Sequence, residues 1–257
     1  MTKFGLKLGI GETALIPAAQ KLRRHDGYDF LELYVPMTSV PSDAENWRWY
    51  DGLLVLHAPH ALGGFNFAKA EMETGNFRCL ESLETLRASM SPGMIVFHPG
   101  LDGDIGETFR QIKRMREEFP GLHRIALLEN KPKVGLNGEE CLGASPEEIQ
   151  EMLGETGCGF CLDVRHAFAY AAWAREDGLD VVKRFAKLSP RLWHAADGMS
   201  ASAIDSHDHI GEGDIPWGAL AAHWGANAMV TLECKKDADR LLDDFVSDRG
   251  RLREATI

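Results

Sequence analysis

Histidine, aspartate and glutamate recur in this sequence at one kind of place, the end of a short apolar run. The runs read Val55-Leu56-His57, Val96-Phe97-His98, Leu127-Leu128-Glu129, Cys161-Leu162-Asp163-Val164-Arg165-His166, Leu192-Trp193-His194 and Thr231-Leu232-Glu233. A further cluster, Asp205-Ser206-His207-Asp208-His209, follows the run that ends in His194. Imidazole and carboxylate together suit zinc, manganese or iron. A single His at such a place is more often a hydrogen-bonded structural residue. Six successive runs with the same ending are different, because burying that many ionisable groups is costly unless they are paired or bind metal. His57, His98, Glu129, Asp163, His166, His194, Asp205, His207 and Glu233 are therefore the expected metal ligands. The set is too large for one ion. His60 and His209 flank it and are candidates for substrate contact or for supporting a ligand.

The elements that must bring these residues together follow from the apolar pattern. Eight runs, at 7–10, 30–35, 53–57, 94–98, 125–129, 159–163, 192–194 and 229–233, are mostly continuous rather than alternating, as in strands buried on both faces. Helical patterns lie between them at 13–24, 77–88, 105–119, 168–174, 179–188, 217–223 and 237–245. Another opens at Ser145-Pro146-Glu147-Glu148, a capping box with Pro at the first helical position. The spacing is about 32 residues per strand–helix unit. The pattern predicts a single-domain α/β protein over residues 1–257, a (β/α)8 TIM barrel. A doubly wound open sheet usually carries a G-x-G-x-x-G loop after its first strand, and Gly9-Ile10-Gly11-Glu12-Thr13 is not one. In a parallel barrel all strand C-termini open on one face, so the candidate ligands converge there.

Composition narrows the class. Of 257 residues, 44% are apolar and 26% are charged, which excludes disorder, and the formal net charge of −11 argues against a general nucleic-acid coat. No apolar run is long enough for a membrane helix, and the first ten residues lack a signal peptide's apolar region. A cytoplasmic protein with reduced thiols, no membrane association and no obligate protein partner is expected. Cys158-Gly159-Phe160-Cys161 lacks the second pair of a structural zinc site and reads as buried residues at the start of a strand. Trp47-Arg48-Trp49-Tyr50 could stack on a flipped nucleotide, but reads first as an aromatic face packed on the barrel.

At these residues the sequence resembles endonuclease IV, the apurinic/apyrimidinic endonuclease family within the xylose isomerase-like TIM barrels. The most specific pieces are Leu162-Asp163-Val164-Arg165-His166-Ala167-Phe168 and the stretch from Asp205 to Ile215. The resemblance implies three zinc ions. His57, His98 and Glu129 would hold the first. Glu129, Asp163, His194 and Glu233 would hold the second, and His166, Asp205 and His207 the third. It also implies hydrolysis of a phosphodiester, at abasic sites in DNA or in a related phosphoester, with Glu129 and Glu233 as catalytic residues.

Sugar isomerases and epimerases of the same superfamily are similar to the chain at Glu129, Asp163, His194 and Glu233. That alternative implies one Mn²⁺, Mg²⁺ or Co²⁺, a small sugar as substrate, and Glu129 and Glu233 as the proton-transfer pair. Gly211-Glu212-Gly213-Asp214-Ile215-Pro216-Trp217 is common to both branches. The loop Pro36-Met37-Thr38-Ser39-Val40-Pro41-Ser42 lacks the Asn-Gln-Arg-like element of the endonucleases, and His60 stands where they carry a Tyr.

Overall fold

The structure, a computed structural model, describes residues 1–225, 227–236 and 241–256. Eight parallel strands close into a barrel in sequence order. They are β1 (Lys3–Gly9), β2 (Phe30–Tyr34), β3 (Leu54–His57), β4 (Met94–Phe97), β5 (Ala126–Glu129), β6 (Gly159–Asp163), β7 (Leu192–Ala195) and β8 (Met229–Leu232). Closure is made by β1 against β8, with Leu6 opposite Leu232. Around the barrel lie α1 (Ile16–Arg24), α2 (Glu73–Met90), α3 (Ile105–Glu118), α4 (Pro120–Ile125), α5 (Pro146–Thr156), α6 (Val164–Ala174), α7 (Gly178–Ala186), α8 (Trp217–Ala221) and α9 (Asp243–Ala255). Among the described residues no helix is long and apolar enough to cross a membrane.

Period-two alternation divides each strand between two environments. Outward residues such as Leu31, Leu33, Ile95, Phe97 and Leu128 pack under the helices, against Leu80, Leu83, Ile112 and Ile149. Inward residues Phe30, Val55, Met94, Val96, Leu127, Cys161 and Leu192 fill the barrel interior as a separate apolar plug. Two residues further along the same strands, and on the same face, stand Glu32, His57, His98, Glu129, Asp163 and His194. A polar layer is thus stacked directly on a dry floor. Gly5 completes that floor. A Cβ there would lie 2.3 Å from the Phe30 ring, so only glycine leaves room for it.

Two expectations are corrected and one connection is filled in. The first strand begins at Lys3, not residue 7. Its outward Phe4, Leu6 and Leu8 alternate with inward Gly5 and Lys7, and this hid its start from a search for continuous apolar runs. The connection from β2 to β3, where the sequence shows no helical pattern, holds a 3₁₀ segment, Pro41–Trp47. Trp47 is buried there and its Nε1 donates to the Ile10 carbonyl at 2.8 Å, as an aromatic face packed on the barrel requires. The last helix runs from Asp243 to Ala255, well past the expected end at residue 245, and the apolar residues it buries are Phe245 and Leu252. Asp237, Ala238, Asp239 and Arg240 lie outside the described residues. The Ser145–Glu148 capping box forms as expected, with Glu148 N donating to Ser145 Oγ at 3.1 Å.

Candidate metal centre

The nine expected ligands all reach the mouth at the C-terminal ends of the strands, by three routes. His57, Glu129, Asp163 and His194 lie within strand ends, and His98 and Glu233 directly follow them. His166 arrives one turn into α6, which starts with no intervening loop. Asp163 is both the end of β6 and the cap of that helix, its Oδ1 accepting from His166 N at 2.7 Å. Asp205 and His207 come from the long loop after β7.

That loop is held by buried polar groups. The Arg165 guanidinium donates to the carbonyls of Ser202, at 2.7 Å, and Ile204. Asp197 accepts from the backbone of Gly198, Gly211 and Ile215 and from Trp217 Nε1, and so winds the Gly211–Trp217 stretch around one carboxylate.

Backbone carbonyls orient three of the imidazoles. Nδ1 of His57 donates to Ala58 O at 2.8 Å, that of His166 to Asn130 O at 2.8 Å, and that of His207 to Glu233 O at 2.7 Å. Each Nε2 then faces a carboxylate: His57 meets Glu129 Oε2 at 3.1 Å, while His166 and His207 meet Asp205 Oδ2 at 3.0 and 3.2 Å. This is the support that metal-binding histidines require. The Asn130 side chain clamps β5 to β6, accepting from Asp163 N at 2.8 Å and donating to Asp163 O at 2.9 Å.

Two groups of ligand atoms converge as the resemblance implies, each within 4.8 Å: His57, His98 and Glu129, and His166, Asp205 and His207. The four residues expected to hold the middle ion group differently among the described residues. Asp163 joins Glu129 and His166, Glu129 and His194 join Cys161, and His194 and Glu233 join Glu32 and His57. Four buried atoms in this set, His98 Nε2, Asp163 Oδ2, His194 Nδ1 and Asp205 Oδ1, have no aligned hydrogen-bond partner. Unsatisfied buried polar atoms are rare in folded chains, and here all four belong to candidate metal ligands, His98 Nε2 and His194 Nδ1 lying 3.3 and 3.4 Å from Glu129 Oε2. The residues fit a divalent cation.

Two residues that the sequence reading passed over sit in the same layer. Glu32, fully buried, meets His194 Nε2 at 3.1 Å and accepts from Thr231 Oγ1 at 2.7 Å. Lys7 turns its ammonium inward to Glu233 and, at 3.1 Å, to Glu32. Burial opposes a charged Lys7, but Glu233, Glu32 and Glu129 outweigh it and raise its pKa. Burial likewise opposes a charged Glu32, yet His194 and Lys7 bring it down to about 2.

The imidazoles divide. Burial and then the Lys131 ammonium press His98 down to about 3. Burial also presses on His166 and His207, but Asp163 and Asp205 lift His166 to about 10, and Asp205 lifts His207 to about 9. Burial raises the Cys158 and Cys161 thiols to about 11 and 12, so neither offers a thiolate near neutral pH.

A cavity of about 520 Å³ opens above the ligands. Glu129, His166, Asp205 and Glu233 reach its base, and Leu62, Leu101, Pro132 and Leu136 give it an apolar wall. Lys131 Nζ stands in it, 3.4 Å from His166 Nε2. His60 lines the cavity beside Tyr34, with ring centroids 4.7 Å apart. His209 lies elsewhere: its Nδ1 meets Asp248 Oδ2 at 2.8 Å and ties the loop to α9.

The family model described as a xylose isomerase-like TIM barrel matches residues 20–250. The chain belongs to this family. Within the xylose isomerase-like barrels, a curated relative from Mycobacterium leprae named "Probable endonuclease 4" is 26% identical over 192 residues, covering 72% of this chain and 73% of that protein. One of the same name from Thermoplasma volcanium is 29% identical over 142 residues, 49% of this chain and 46% of its own length. The solved endonuclease IV of Thermus thermophilus superposes with a TM-score of 0.73 at 21% identity, covering 98% of this chain and 99% of that one. A D-tagatose 3-epimerase-like protein superposes with a TM-score of 0.70 at 19% identity, covering 98% and 96%. Those two likenesses are of fold.

Proposed function

We propose that this protein is a metal-dependent phosphoester hydrolase of the endonuclease IV type. The observation that carries the reading is the pair of histidine–carboxylate clusters, one containing Glu129 and the other touching it through His166, at the base of a cavity that also holds the Lys131 ammonium. His57, His98 and Glu129 would hold one ion and His166, Asp205 and His207 another. Bound zinc supplies a Lewis acid for a phosphoryl oxygen and lowers the pKa of water enough to give a nucleophile near neutral pH.

The chain's own groups do the rest. Lys131 offers a donor and a positive charge to a phosphate oxygen. Glu129, touched by His57, His98, His166 and His194, holds the imidazoles of both clusters in register. The apolar wall of Leu62, Leu101 and Leu136 excludes water from one side of the substrate.

The test is an assay of zinc-loaded, chelator-free protein on duplex DNA with an abasic site and on bis(p-nitrophenyl) phosphate. Hydrolysis that chelation abolishes and zinc restores is the expected result. Ion-loaded protein that cleaves no phosphoester offered overturns the reading. Interconversion of ketoses by the same sample would support the sugar isomerase alternative, which draws on a cavity of small-molecule size with both Glu129 and Glu233 at its base.

A further inference from the structure

We infer that Lys7 is a built-in cation of this centre, engaging the carboxylate that a third ion would share with His194, so that the mouth holds two divalent ions and not three. The inference rests on the metal-binding reading above.

The placement of Lys7 comes from β1 itself. Two residues after Gly5 on the inward face, its side chain rises from the dry floor into the polar layer. It bonds Glu233 on one side and Glu32, at 3.1 Å, on the other, with only 14% of its side chain exposed. The Glu233 oxygen it engages, Oε1, also lies 2.8 Å from His194 Nδ1. The other His194 nitrogen is taken by Glu32 at 3.1 Å. Glu233 is thus ion-paired with Lys7 and His194 is held by Glu32 through Nε2, in a Lys7–Glu233–His194–Glu32 chain in which His194 Nδ1 is near Glu233 but not aligned to hydrogen-bond it. Glu129 meets His194, at 3.4 Å, and Asp163 in separate groups, but the four middle residues do not come together as one, while the sets on either side of them do.

Charge points the same way. Five carboxylates face this layer: Glu32, Glu129, Asp163, Asp205 and Glu233. One ammonium and two divalent ions balance them. That leaves the Lys131 charge uncommitted, facing the cavity where a phosphate would sit. A third divalent ion would add two further positive charges to a buried layer that is already neutral, at a steep desolvation cost.

The test is metal stoichiometry on the full chain, purified without chelator and loaded with excess zinc, read by native mass spectrometry and by elemental analysis. Two ions per chain are expected for the unaltered protein and three for Lys7→Met. Three ions in the unaltered protein, or two in folded Lys7→Met, overturn the inference and leave the hydrolase reading standing. Fewer than two ions in the unaltered protein overturn both. Should Lys7→Met fail to fold, Glu233→Gln decides: two ions retained support the inference, and a fall to one overturns it.

Discussion

The two candidate metal-binding clusters are built from the same kinds of side chain, yet they belong to different parts of the fold. His57, His98 and Glu129 come from the ends of three adjacent strands and are almost wholly buried. His166, Asp205 and His207 come from a helix start and a loop, and Asp205 and His207 are half-buried. Burial keeps His98 neutral at about 3, whereas carboxylate neighbours hold protons on His166 and His207 up to about 10 and 9. The deep cluster thus has an imidazole already in ligand form at neutral pH, and the rim cluster must exchange protons for its ion. The same chemistry, placed on a strand end or on a loop, yields a preformed site or a switchable one.

The strongest way to break this contrast is Glu129→Gln, because Glu129 touches imidazoles of both clusters. Turnover should fall below detection and the deep ion should be lost. Full activity with unchanged metal content would end the account.

Acidity separates the clusters next. Below pH 9 the rim imidazoles carry protons that zinc must displace, so rim affinity rises with pH up to about 9–10 and falls as pH drops. Each displaced proton makes the dependence roughly tenfold per pH unit. Calorimetric zinc titrations at pH 6 and 8 should show about a 100-fold change or more for one ion and a much smaller change for the other, with proton release on binding the first.

Lys131→Ala sharpens the contrast within the cavity. It should cut kcat/KM on a phosphodiester by about 100-fold, while native mass spectrometry shows the ions still bound. The smallest effect is structural. Asn130→Ala leaves the backbone N–H of Asp163 buried without its acceptor and should cost about 1–3 kcal/mol in thermal unfolding, with more effect at the rim, which His166 joins just beyond Asp163.

The barrel was legible because parallel strands buried on both faces show as apolar runs, and because ligands at strand ends break those runs in a fixed place. Glu32 escaped for the opposite reason. It lies inside Phe-Leu-Glu-Leu-Tyr, where one carboxylate passes as an interruption. The available signal was its period-two relation to the inward Phe30. Lys7 was missed with the true start of β1. The role of Asp197 depends on partners 14 to 20 residues away, and that of His209 on Asp248, 39 residues away; no local pattern encodes such pairings. The grouping of nine ligands into clusters depends likewise on side-chain directions at the mouth.

The dry floor has a kinetic consequence. Phe30, Val55, Val96, Leu127 and Leu192 seal the barrel beneath the polar layer, each fully buried. An ion at the deep cluster would therefore enter and leave from the mouth side, through the cavity that His98, Glu129 and the rim residues line. Two bound ions would share this one entrance, which His98 and Glu129 line as well as the rim residues. In a pulse of labelled zinc, an ion at the nearly fully buried strand-end cluster should exchange more slowly than one at the half-buried rim.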